Sequence, residues 1–168
     1  MNSLFPKYCL DANVLIQAWQ NYYSPVFCPD YWKILNQLGS QDVIFLPQDV
    51  SDEITRTHDD LAVWLKNSNI PVYKKDGLVT QCLKNIYAVN PDHKFLVSEN
   101  KKHSLADPWV IAHAMNQNAT VVTKEIKDAV IKAVNIKIPH VCDNMGIRWI
   151  DDFQMVKELN IRFSCLIP

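Results

Sequence analysis

Two hydrophobic periods alternate along this chain. Short, largely apolar runs at "KYCL" (7–10), "VIFL" (43–46, closed by Pro47) and "TVVT" (120–123) have the length and side-chain content of buried strands. Between them, apolar residues recur at helical spacing. Val14, Leu15, Ala18 and Trp19 predict a first helix. Tyr31, Ile34, Leu35 and Leu38 predict a second, starting near Asp30 with Gly39 as its stop. Further helical stretches are expected at 50–54, 61–65 and 78–87, the last with Leu78, Cys82, Leu83 and Ile86 in register. "SLADPWVIAHA" (104–114) predicts a helix with Asp107 as N-cap, Pro108 at the first helical position, and Ile111, Ala114 and Met115 on one face. Ile126, Ala129, Val130 and Ala133 predict another helix after "TVVT". The C-terminal part predicts a strand at "IRWI" (147–150), a short helix with Phe153, Val156 and Leu159, and a last strand at "IRF" (161–163). "VNPDHKFLVSENKKHS" (89–104) is the least patterned stretch and reads as a loop.

Strands alternating with helices across short connections predict an α/β fold: an α/β/α sandwich around a central parallel sheet of about four to five strands. With 168 residues and neither linker nor repeat, the expectation is one domain spanning 1–168.

Composition narrows the chemistry more than the fold. The chain is 48% hydrophobic and 21% charged, an ordinary globular balance. A net charge of -1 provides no overall field toward nucleic acid, and local patches matter more. No apolar run approaches the roughly 18 residues of a membrane span, so no membrane partner is expected. "MNSLFPKYCLDANVL" has no basic stretch ahead of an apolar one, which argues against secretion. Five scattered cysteines without a CxxC pair argue against a disulfide framework or structural zinc, and suit a cytoplasmic location. Three glycines leave no GxGxxG or P-loop, and neither GxSxG nor HExxH occurs. His113, amid apolar neighbours, reads as a hydrogen-bonded core residue, and Cys9 as core.

Where the acids fall is more informative. In open α/β sheets, ligands collect beyond the carboxyl ends of the strands. Asp11 follows "KYCL" directly, Glu53 lies one turn into the segment after "VIFLP", and Glu125 comes two residues after "TVVT". Asp107 starts the helix that leads into that same strand. Singly, each has a plain alternative as a cap, a first-turn acid or a solvated side chain. Jointly, an all-carboxylate cluster without neighbouring His or Cys selects Mg²⁺ or Mn²⁺ over zinc. Such ions serve phosphodiester hydrolysis. Crowded carboxylates also repel, so at least one should hold its proton unusually tightly without metal.

On these residues the sequence resembles the PIN domain family of metal-dependent ribonucleases, which includes the toxins of VapBC-type toxin–antitoxin pairs. The matching blocks are "LDANVLI", "VSDEI", "ADPWVIAHA" and "TVVTKE". More narrowly it resembles an uncharacterised bacterial PIN-like subfamily, through "YYSP" with Trp32 following, "DDLAVWLK", "IKIPHVC" and "MGIRWID". The resemblance implies that Asp11, Glu53 and Asp107 are metal-binding acids, with Glu125 where many members have aspartate and Asp128 as a fallback facing solvent. It implies supporting roles for Asn13 and Thr123. Arg56, Lys94, Lys101, Lys102, His103 and Lys124 flank the acids and are candidate phosphate contacts. The implied activity is Mg²⁺- or Mn²⁺-dependent cleavage of single-stranded RNA, with a cognate antitoxin as a partner. A homodimer through "AWQNYY" or "FSCLIP" is a further expectation. A non-catalytic binding module and a nuclease acting on DNA are the alternatives, since nothing in the sequence separates RNA from DNA.

Overall fold

A computed structural model describes residues 6–97, 105–129, 132–164 and 166–167. Five strands make one all-parallel sheet: β1 (Tyr8–Leu10), β2 (Ile44–Pro47), β3 (Val72–Tyr73), β4 (Thr120–Val122) and β5 (Trp149–Ile150), in the order β3-β2-β1-β4-β5. β1, β2 and β4 are buried throughout, as strands covered on both faces must be. Their registers are Tyr8 beside Ile44 and Thr120, and Leu10 beside Val122. The chain leaves β1 toward β2 and returns on the other side at β4. The sheet therefore has a switch point between β1 and β4, the place where such folds form a crevice.

Helices α1 (Ala12–Gln17), α2 (Pro29–Ser40), α3 (Gln48–Thr55), α4 (Asp60–Asn67), α5 (Gly77–Val89), α6 (Asp107–Gln117), α7 (Ile138–Met145) and α8 (Asp152–Glu158) flank the sheet. α6 lies against β1, β2 and β4, with α5 packed along it. The "YYSP" block closes the end of α1 through a π-helical turn at Ala18–Tyr22, where Trp32 Nε1 donates to the Tyr23 carbonyl at 2.6 Å. Trp32 then meets Trp19 and Trp64 edge-on, with ring centroids 4.6 and 4.8 Å away. The four described cysteines carry free thiols.

Several expected elements differ. Gly39 does not stop α2 but lies within it, because the backbone of Ile70 passes too close for a side chain. A Cβ there would stand 2.7 Å from Ile70 Cα. Gly39→Ala is therefore expected to lower stability by about 1–3 kcal/mol, although Ala is the better helix former by about 1 kcal/mol. Urea unfolding measures it, and a stabilised variant would show that Ile70 moves aside freely.

Of the helix expected over 126–133, the described residues 126–129 are irregular instead and a 3-10 turn occupies Ala133–Asn135, while Val130 lies outside the described residues. Ile126 is 75% exposed, so its apolar spacing had no surface to cover. Among the described residues "IRF" pairs with no strand, and Phe163 instead packs against Tyr23 and Tyr31. In α5 the inward residue of the first turn is Val79, with Leu78 exposed. Part of the expected 89–104 loop is a 3-10 turn, Pro91–Leu96, with His93 and Leu96 buried. The rest of that loop lies mostly outside the described residues, as do Lys101, Lys102 and His103. β3 was not foreseen; two residues are too short to show a period. His113 is buried as expected, but both ring nitrogens lack a hydrogen-bond partner among the described residues.

Candidate functional site

Asp11 is placed by the sheet itself. Its N–H donates to the Val122 carbonyl at 2.9 Å, extending the β1–β4 ladder one residue past the end of β1. Its backbone is extended while Ala12 already turns into α1, so the carboxylate caps the helix, Oδ1 accepting from Ala12 N at 2.7 Å. Oδ2 accepts from the Thr123 hydroxyl at 2.9 Å, directly across the switch point. The residue is 4% exposed.

Burial pushes the Asp11 carboxyl up to about 7, opposed by the Thr123 hydroxyl and the Ala12 N–H. The negative charges of Glu125 and Glu53 raise it further. Two of the other three candidate acids therefore act electrostatically on Asp11. Asp107 is buried at the start of α6. It is not the N-cap. Ala106 already has helical backbone angles, and its carbonyl accepts from Trp109 and Val110, so the helix begins at Asp107 with Pro108 second.

Glu125 sits in the irregular segment after β4. Its N–H donates to the Thr123 hydroxyl at 3.1 Å, and its Oε2 accepts from Ile138 N at 2.8 Å, at the start of α7. It is thus an acid at a helix N-terminus, but of a helix that begins thirteen residues later. Asn13 holds the same segment, its Oδ1 accepting from Lys124 N at 2.9 Å. Glu53 is half-buried in α3, with Arg56 exposed at that helix's end. Lys94 is exposed on the 3-10 turn, its Nζ 5.5 Å from the Phe95 ring centre. Asp128 is exposed and ion-paired with Lys137 at 3.1 Å.

Lys124 is ion-paired. Its ammonium pairs with Asp152 at 2.8 Å, where Asp152 is 0% exposed and also accepts from the Tyr22 hydroxyl at 2.8 Å. The same ammonium lies 4.1 Å from the Phe153 ring centre. Asp152 and Tyr22 were not among the sequence candidates. The available signal was the doubled acid in "IDDF": Asp151 caps α8 through Gln154 N, so the second aspartate was not needed as a cap.

Among the described residues, no three His, Cys, Asp or Glu side chains stand ready-made to hold a metal ion. The chemistry of the donors nevertheless suits a hard divalent cation: all are carboxylates, and the most buried one carries a repulsion that a cation would relieve.

A pH prediction follows from Asp11. Its proton is held more tightly folded (about 7) than at the ordinary value of 3.8, so the folded state binds more protons between those limits. Metal-free stability should fall as pH rises from 4 to 7 and then level off, by at most about 4 kcal/mol. Asp11→Asn should abolish that slope and stabilise the protein at pH 8. Urea titrations in EDTA at several pH values measure it, and an unchanged slope in the variant would refute the assignment.

A family model described as "Domain of unknown function (DUF4411)" matches residues 8–163. The chain belongs to the DUF4411 family. No curated protein matches it. Two solved structures share its fold. One is VapBC2 from Rickettsia felis bound to a DNA fragment from their promoter, at 15% identity over 86% of this chain and 97% of that one, with a TM-score of 0.56. The other is DNA-bound VapBC from Salmonella typhimurium, at 17% identity over 88% and 98%, also with a TM-score of 0.56. The likeness is one of fold, and it agrees with the PIN-like α/β architecture expected from the sequence. Among the described residues no helix is long and apolar enough to cross a membrane.

Proposed function

We propose that this DUF4411 chain is a single-domain, Mg²⁺- or Mn²⁺-dependent endoribonuclease that cleaves single-stranded RNA in the cytoplasm. The observation that carries the reading is the buried Asp11 carboxylate at the switch point, raised in part by the charges of Glu125 and Glu53. Asp11, Glu53, Asp107 and Glu125 would hold the cation. When bound, such an ion neutralises charge developing on a phosphoryl oxygen and acidifies water. Thr123 orients the Asp11 carboxylate through its hydroxyl, and Asn13 holds the Lys124 backbone, so the segment bearing Glu125 stays against the start of α1. Arg56, Lys94 and Lys124, in segments flanking the acids, would contact substrate phosphates.

The fold shared with two VapBC structures supports the narrower proposal that this chain is the toxin of a toxin–antitoxin pair, with a cognate antitoxin as protein partner. The test of the activity is a panel of single- and double-stranded RNA and DNA incubated with Mn²⁺ or with EDTA. Cleavage of single-stranded RNA that EDTA abolishes is expected. Cleavage of DNA alone, or RNA binding without cleavage in any metal, would overturn it.

A further inference from the structure

Asp152 is the first residue of α8, and its carboxylate is fully buried. It does not cap that helix, a role filled by Asp151 through Gln154 N. A buried carboxylate needs partners, and this one has two: Oδ1 accepts from Lys124 Nζ and Oδ2 from the Tyr22 hydroxyl, each at 2.8 Å. Stability is a poor account of such an ion pair, because well-packed apolar residues of similar volume are often as stable or more so. What the pair adds is a fixed arrangement of the elements it joins.

Those elements are the ones that present two of the candidate acids. Lys124 stands between Thr123, whose hydroxyl donates to Asp11 Oδ2 at 2.9 Å, and Glu125. Tyr22 ends the π-helical turn that continues α1, the helix that Asp11 caps. Beyond Thr123 the chain is irregular, so no ladder or helix fixes it. Its backbone is anchored by Lys124 N–H on Asn13 Oδ1 at 2.9 Å and by Glu125 N–H on Thr123 Oγ1 at 3.1 Å. The Lys124 side chain is a further anchor. It is only 13% exposed, with its ammonium 4.1 Å from the Phe153 ring centre and 5.0 Å from that of Tyr22. Holding so flexible a side chain costs conformational entropy, which the bond to Asp152 must offset.

We infer that Asp152 is a positioning residue for the candidate metal site. By holding the Lys124 ammonium beside Tyr22, it fixes the stretch that aims the Thr123 hydroxyl at Asp11 and carries Glu125. A cation then meets both acids without first having to order the chain between them, and ligands held in this way bind more tightly. The inference rests on these acids holding a cation.

The experiment is isothermal titration calorimetry of Mn²⁺ into the metal-free protein without RNA, so that no phosphate contact by Lys124 enters. The decisive variant is Asp152→Ala with Lys124→Met. It removes one charge of each sign, leaves the net charge unchanged and orphans no ion, so it should fold. Its Mn²⁺ affinity should nevertheless drop by about tenfold, the lower end of the range for groups that hold metal ligands in place. Tyr22→Phe removes only a hydroxyl and keeps the test valid if the double variant fails to fold. It should weaken Mn²⁺ binding roughly threefold, the scale of one hydrogen bond. Unchanged Mn²⁺ affinity in a folded double variant, or in Tyr22→Phe, would make the pair a stability device alone and overturn the inference. A parent protein that binds no Mn²⁺ would overturn the metal reading itself, and the inference with it.

Discussion

Asp11→Asn is expected to lower Mn²⁺-dependent RNA cleavage by roughly a thousandfold or more, while RNA binding in the absence of metal is unchanged or slightly tighter. The size is that of removing one electrostatic stabiliser of the transition state, about 4 kcal/mol. Asparagine keeps the fold: its carbonyl can still accept from Ala12 N, and its amide can meet the Thr123 hydroxyl, whose proton turns elsewhere. What it removes is the negative charge buried at the switch point. Binding should survive because a carboxylate facing a phosphate repels it. Asp107→Asn should behave alike, and EDTA should mimic both. Circular dichroism confirms folding, gel-based cleavage gives the rate, and anisotropy gives the affinity. Cleavage that persists in the Asp11→Asn, Asp107→Asn double variant would mean that another site, or a contaminating nuclease, does the work.

The largest stability effect is expected at Asp152. Its carboxylate is fully buried and accepts from both Lys124 Nζ and the Tyr22 hydroxyl. Asp152→Ala would leave the largely buried Lys124 ammonium without its counter-charge and cost about 3–5 kcal/mol. For a chain of this size that corresponds to a melting temperature lower by roughly 10 °C or more. Removing both charges together, as in Asp152→Ala with Lys124→Met, should recover most of the loss, since an apolar replacement has no orphaned ion to desolvate. Differential scanning calorimetry of the two variants decides it. A single variant as stable as the parent would mean that Lys124 reaches solvent.

Much of the architecture could be read without coordinates. β1, β2 and β4 announce themselves as short apolar runs, and an acid follows each of the first and last within two residues. Capping chemistry is equally local: Asp59, Asp76 and Asp151 each accept from a backbone N–H three residues on. The candidate site was legible for the same reason, because the carboxyl end of a parallel strand is where its chain must turn. Asp11 therefore carries both a cap and a position in the crevice in three consecutive residues.

The misreadings share a cause. Ile126, Ala129, Val130 and Ala133 have helical spacing, yet spacing states only which residues would share a face and not whether anything lies opposite it. Ala106, rather than Asp107, caps α6 because the backbone had already turned helical one residue earlier, and side-chain preference cannot overrule that geometry. Gly39 reads as a stop signal from its neighbours alone; its actual constraint is Ile70, thirty-one positions along the chain.

The sequence by itself determined β1, β2, β4 and most of the helices, the parallel class of sheet and the set of acids near strand ends, because periodicity, capping and turn chemistry act within one or two turns of chain. Only the tertiary structure decided that Thr123 hydrogen-bonds Asp11, that Glu125 closes α7, and that Lys124 pairs with Asp152. Those pairings span distances of thirteen to one hundred and twelve residues. Their energies depend on burial and on which loops the strand order brings to the same edge, and neither is carried by any local stretch of residues.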